Sequence, residues 1–228
     1  MTHVYARHDY AASLSHSGSA FLVSEWGCSV IVRPIADEGS DAIGCYPTAV
    51  LDRQADLAGG LERLRQEGMV SVMLVLDDVH RPPIAAIEGA FAALTPYKTH
   101  YTVDPRGGPA KSRHHQRESK RANRLVEARP ICLADLMGEW IGLYATLGER
   151  HDFAPVHRFP DRHFDVLAGL QGVHAIGGFA NDNLVCAHIW IEHEGYVFSH
   201  LPQTTTDIDA AQPTPSMRFP STIFARRG

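Results

Sequence analysis

Leu184-Val-Cys-Ala-His-Ile-Trp-Ile-Glu-His-Glu-Gly-Tyr-Val-Phe-Ser-His-Leu201 is the stretch whose reading decides the fold. Strict alternation puts Val185, Ala187, Ile189 and Ile191 on one face of a strand, and Cys186, His188 and Trp190 on the other. The first face is a core face. Glu-Gly then marks a turn, and Tyr196 to His200 reads as the returning strand of a hairpin. With a His193-Glu194-Gly195 loop, Glu192 pairs with Tyr196, Trp190 with Phe198, and His188 with His200, all on the second face. That face is then either a pocket floor of two aromatics and two imidazoles or a second packed face with hydrogen-bonded histidines. A change of one residue in the loop destroys the pairing.

Upstream, His174 to Ala180 reads as a third strand of the same antiparallel meander. Two helices precede it. Leu133, Leu136, Met137, Trp140, Leu143, Tyr144 and Leu147 form an apolar stripe ending at Glu149-Arg150-His151, and Asp161 is placed to cap a helix that turns Phe164, Leu167 and Leu170 inward. Before them, Arg113, Arg117, Arg121 and Arg124 recur at helical spacing, so their guanidinium groups share one face. Between Lys111 and Arg129 seven Lys or Arg face two Glu, so this segment carries +5 within a chain whose formal charge is -5. Guanidinium forks at this spacing suit phosphate, and a solvated helix face is the plainer alternative.

The first half also alternates strand and helix. Ala20 to Val23 and Cys28 to Arg33 form a hairpin around Ser24-Glu-Trp-Gly27, and Asp52 to Glu67 is helical despite Gly59-Gly60. Val70 to Leu76 reads as a strand buried on both faces, Pro82-Pro83 opens a helix with Ile84, Ile87, Phe91 and Leu94 on one side, and Tyr97 to Val103 is a further strand. Asp104-Pro-Arg-Gly-Gly-Pro109 breaks both periodicities. The expected organisation is residues 1–104, residues 105–201 and an irregular tail, 202–228, in which the hydrophobic pattern stops. The class is mixed α/β, with mostly antiparallel sheets flanked by helices.

At 228 residues, 44% hydrophobic and 21% charged, the chain has the composition of a globular protein with ample core. Its negative balance argues against bulk attraction to nucleic acid or anionic membrane outside the arginine segment. Cys28, Cys45, Cys132 and Cys186 form no C-x2-C pair and read as free buried thiols of a reducing compartment. No signal peptide and no apolar run of about 20 residues is present, so a cytoplasmic location is expected. Fourteen histidines show no metal-ligand spacing, and G-x-S-x-G, Walker and dinucleotide fingerprints are missing. No metal is expected.

Four segments together resemble the FemAB-like branch of the GNAT-fold acyltransferases, which is built from two GNAT-like subdomains. They are Ile31-Val-Arg-Pro-Ile35 with Asp41-Ala-Ile-Gly-Cys-Tyr-Pro47, then Ser112-Arg-His-His-Gln-Arg-Glu-Ser-Lys-Arg-Ala122, then Trp140-x2-Leu143-Tyr144-x2-Leu147-x2-Arg150-His151, and finally Ala187-His-Ile-Trp190 with Ser199-His-Leu201. The resemblance implies transfer of an acyl or aminoacyl group from a thioester or ester donor, acyl-CoA or aminoacyl-tRNA, to an amine. Small amines, polysaccharides and cell-envelope precursors are the acceptors it implies. It places His151 and His188 as candidate bases, and Tyr46, Arg113, Arg117, Arg121, Arg150, Trp190 and His200 around the cleft. Arg106-Gly-Gly-Pro-Ala110 only partly echoes the pyrophosphate loop of acyl-CoA enzymes, and the family's helix after Ser-His-Leu has no counterpart after Leu201. The second subdomain is therefore expected to be incomplete. The competing expectations are a non-catalytic RNA- or polyanion-binding protein, and an inactive truncated remnant.

Overall fold

The computed structural model describes residues 1–36, 39–104, 112–154, 158–205 and 223–226. The chain divides into two compact units, Met1–Thr99 and His100–Gly228.

The first unit holds a four-stranded sheet in the order β1 (Ser19–Val23), β2 (Cys28–Pro34), β3 (Ser40–Gly44), β4 (Met69–Met73). β1, β2 and β3 are antiparallel, and β4 joins β3 in parallel. Among the described residues, three α-helices accompany it: α1 (His8–Ser13), α2 (Leu57–Gln66) and α3 (Ile84–Ala90). The sharp turn between β1 and β2 ends at Gly27, whose φ of 65° suits glycine. It also drives Trp26 inward, where the indole is fully buried and donates from Nε1 to the Leu57 carbonyl at 3.3 Å. Asp56 caps α2, its Oδ1 accepting from the Gly59 N–H at 2.9 Å. Gly60 gives the indole its seat.

β4 corrects the expectation of a strand buried on both faces. It is an edge strand, with Val70 61% and Met73 65% exposed. A short apolar run cannot by itself distinguish a central strand from an edge. The third helix is shorter than its periodicity suggests, because Phe91 is already extended.

The second unit holds a six-stranded sheet in the order β5 (Tyr101–Val103), β10 (Ile223–Arg226), β9 (Tyr196–Thr204), β8 (Asn183–His193), β7 (Val173–Ala180), β6 (Glu127–Ile131). The β6 to β9 ladder is antiparallel throughout, and β10 runs antiparallel to β9 and parallel to β5. Its helices are α4 (Arg113–Leu125), α5 (Met137–Arg150) and α6 (Asp161–Gly169). The proline in β6 is tolerated because that strand lies at the sheet's edge. Asp161 lies in the first turn of α6 and Pro160 is its N-cap, so the expected side-chain cap does not form. β9 continues past Leu201 to Thr204, and four residues of the stretch expected to be irregular form β10.

α5 packs on β8 and β9, and α6 on β7. Between them, Trp140, Phe164, Leu167, Ile189 and Ile191 are fully buried. Trp140 and Tyr144 meet Phe164 edge-on, at ring-centroid separations of 5.7 and 4.9 Å. Each large apolar side chain removed from water in this way contributes about 1.5–3 kcal/mol. Among the described residues, no helix is long and apolar enough to cross a membrane.

Candidate functional site

The two faces of the β7–β8–β9 meander divide the chemistry. The turn between β8 and β9 is Glu194-Gly195, both in the left-handed region at φ 47° and 78°, so His193 pairs with Tyr196. A two-residue turn with positive φ matches the strand twist and sets the register. It corrects the pairing expected from a three-residue loop. Trp190 lies opposite Ser199, Glu192 opposite Val197, and Ile189 opposite His200. Phe198 and His200 therefore share the core face with Ile189 and Ile191, while Ser199 joins His188 and Trp190. The expected floor of two aromatics and two imidazoles is replaced by another set.

A bulge interrupts the pairing next. His188 lies opposite Pro202 and Ile189 opposite His200, leaving Leu201 as the extra residue at φ 49°. Such a bulge bends its strand and resets which face each later side chain occupies. Pro202 consequently returns to the face of His188, and Gln203 lies opposite Ala187 on the core face.

His188 is the centre of the outer face. Only 5% exposed, it places Nε2 2.8 Å from Ser199 Oγ and packs its ring on Trp190 at 4.0 Å. Desolvation lowers its pKa to about 4, so the imidazole is neutral near pH 7. Around it Trp190, Ser199 and Pro202 are half-buried and Ile176 is exposed. One strand away, His174 lies opposite Trp190, and its Nε2 is 2.9 Å from Glu192 Oε2. The face thus presents a neutral imidazole with a hydroxyl, an indole surface and a carboxylate–imidazole pair. Beyond Phe198, no described strand pairs with the outer edge of β9.

The core face carries a second polar group. His200 is buried, and its pKa is pushed well below 6.5 by desolvation and then by the neighbouring His163 and His188. His163, on α6, is fully buried and stacks on Phe159 at 4.6 Å. Among the described residues, neither amide atom of the buried Gln203 on β9 finds a hydrogen-bond partner, nor does the indole Nε1 of Trp140. His163, Ser199 and Gln203 escaped the sequence reading. A three-residue loop would put Ser199 on the core face, and Gln203 lies beyond a bulge that alternation does not reveal.

The other expected residues belong to other elements. His151 is exposed just past α5, stacked on Phe153 at 6.1 Å, and Arg150 is exposed at the helix's last turn. Arg113, Arg117, Arg121 and Arg124 are all exposed on α4. A groove of about 380 Å3 at the end of that helix is lined by Arg124, Glu127, Phe179 and Asp182 among others. Tyr46 belongs to the first unit, half-exposed, its carbonyl accepting from the Tyr10 hydroxyl at 2.6 Å. Arg106 to Ala110 lie outside the described residues. All four cysteines are free thiols: Cys28, Cys45 and Cys186 are buried, with burial pushing the first two up to about 12, whereas Cys132 is exposed rather than buried as expected.

No family model matches the sequence, and no curated protein matches it. Among solved structures, the chain is similar to the C-terminal DUF2156 domain of a protein provisionally named a lysylphosphatidylglycerol synthetase, from Agrobacterium fabrum. The superposition covers 98% of this chain and 75% of that one, at a TM-score of 0.57 and 13% identity. At that identity the likeness speaks for the architecture alone: the chain has a mixed α/β fold with two helix-flanked sheets, consistent with the GNAT-like class expected.

Proposed function

We propose that the chain is an acyl- or aminoacyltransferase of the FemAB-like kind, passing an acyl group from an ester or thioester to an amine. The observation that carries this reading is His188, neutral and buried, with Nε2 directed to Ser199 on the outer face of the meander. An amine that attacks an ester forms an adduct whose N–H is acidic, and a neutral imidazole within reach takes that proton. Burial disfavours the imidazolium only until an opposite charge lies beside it, and the tetrahedral oxyanion supplies that charge. His188 suits this work better than His151, which is exposed and has no hydroxyl partner among the contacts described.

Glu192 and His174 give the same face a polar pair suited to an amine, and Trp190 offers an apolar wall. The exposed arginine face of α4 supports aminoacyl-tRNA as the donor, since its spacing fits phosphate. The named activity of the structural neighbour favours an aminoacyl group and a lipid or envelope-precursor acceptor. The same exposed arginines favour, as a second reading, a polyanion-binding protein without catalysis.

The test is transfer of radiolabelled lysine or alanine from charged tRNA, and of acetyl from acetyl-CoA, to small amines and to phosphatidylethanolamine vesicles, with phosphatidylglycerol vesicles, whose acceptor is a hydroxyl, run beside them. The expected result is transfer with one donor class, reduced by about 100-fold or more in His188→Gln. Transfer by neither donor class, or full activity in that variant, overturns the reading.

A further inference from the structure

The proposed transfer leaves open whether the amine attacks the donor directly. We propose that it does not, and that Ser199 is the nucleophile of a two-step transfer through an acyl-serine ester, with His188 as its base. This rests on the transferase reading for its donor, an ester or thioester, but its geometry and its test stand apart.

Three features converge on Ser199. Its Oγ is 2.8 Å from His188 Nε2, the reach of an activated nucleophile and its base. The imidazole plane is fixed by the Trp190 ring at 4.0 Å, so the base is oriented by a third group. Ser199 is half-buried on the outer face, directly across from Trp190. It also lies where β10 stops accompanying β9: Phe198 is the last β9 residue paired with β10, and the outer edge beyond it meets no described strand. Backbone N–H groups of such an edge are suited to a developing oxyanion.

In the first step, Ser199 Oγ bonds to the donor's carbonyl carbon and passes its proton to His188 Nε2. The bond from that carbon to the donor's ester oxygen or thioester sulfur then breaks, and His188 returns the proton to the departing alcohol or thiol. In the second step, the acceptor nitrogen bonds to the same carbon and the bond to Oγ breaks. The proton lost by the amine passes through His188 back to Oγ. Nothing is oxidised or reduced, and no further reactant is needed.

The experiment uses the full chain carrying Cys132→Ser, because an exposed thiol would also react, with p-nitrophenyl acetate as the probe. A burst of one p-nitrophenolate per chain is expected, with one acetyl group mapped by mass spectrometry to the peptide holding Ser199. Ser199→Ala should abolish burst and label, His188→Gln should slow labelling about 100-fold or more, and Ser199→Cys should keep the label as a thioester. Absence of label on a folded Ser199 protein, label at another residue, or undiminished label in Ser199→Ala overturns the inference. The two claims fail separately. An acyl-serine with no amine transfer defeats the transferase reading, whereas amine transfer retained in Ser199→Ala defeats the nucleophile.

Discussion

Acidification should weaken this protein through His188. The imidazole has an ordinary value of 6.5 in the unfolded chain, and desolvation lowers it to about 4 in the folded one. A lowered value means that below pH 6.5 the unfolded chain binds the proton that the folded chain refuses. Stability from this group is therefore complete above pH 6.5 and is lost as pH falls toward 4. Linkage gives a loss of about 2 kcal/mol between pH 7 and pH 5, and about 3 kcal/mol once pH is below 4. Against a typical total of about 5–15 kcal/mol, that is a large share. His200 shifts in the same direction and steepens the slope. Urea unfolding followed by circular dichroism between pH 5 and 7.5 measures the change, and a carbon-detected NMR titration of the histidine rings identifies its source. His188→Gln should flatten the curve by about 2 kcal/mol across this range. A His188 that titrates above pH 6 in the folded protein, or a stability unchanged from pH 7 to 5, would refute the reasoning and remove the neutral base with it.

Three further outcomes follow from the packing and charge already described. Gly60→Ala should gain about 1 kcal/mol of helix propensity, yet its Cβ would come within 2.5 Å of Trp26 Cδ1 and nearer still to Nε1 and Cε2. Displacing a fully buried indole costs more, so we expect a net loss of about 2 kcal/mol, and unchanged or higher stability in urea would contradict the packing. Gln203→Met should raise stability by about 1 kcal/mol, because a buried amide without hydrogen bonds is exchanged for an apolar chain of similar shape; a lower melting temperature would show that the amide has a use in the fold. If α4 holds tRNA, the double variant Arg117→Gln, Arg121→Gln should lower affinity and reduce the slope of log K against log salt by about 1.5–2 units, and an unchanged slope would exclude these guanidinium groups from the contact.

Most of the helix and strand order could be read from periodicity, because α5, β7 and β8 each bury one face continuously and so leave an apolar repeat. Trp140 and Phe164 were recognisable as core for the same reason. β6 was not, since Glu127-Ala-Arg-Pro-Ile131 is an exposed edge and edges carry no repeat. The candidate site was half legible. His188 and Trp190 followed from alternation within one strand, whereas Ser199 and His200 depended on a turn length that Glu-Gly permits in two ways. A single residue of difference exchanged a presumed imidazole pair for a hydroxyl–imidazole pair. Gln203 required knowledge of the Leu201 bulge, which arises from the backbone conformation of one residue and leaves no mark on hydropathy.

The placement of β10 between β5 and β9 has a consequence for how the second sheet comes together. β7, β8 and β9 are joined by tight turns, so their ladders close short loops and can form early. β5 and β10 are separated by more than a hundred residues in sequence, yet they lie side by side in parallel. Closing a loop of that length costs about 3 kcal/mol more than closing a hairpin. The hairpins should therefore assemble before the outer pair docks, so the edge of β9 from Tyr196 to Phe198 spends the longest time uncovered while the chain folds.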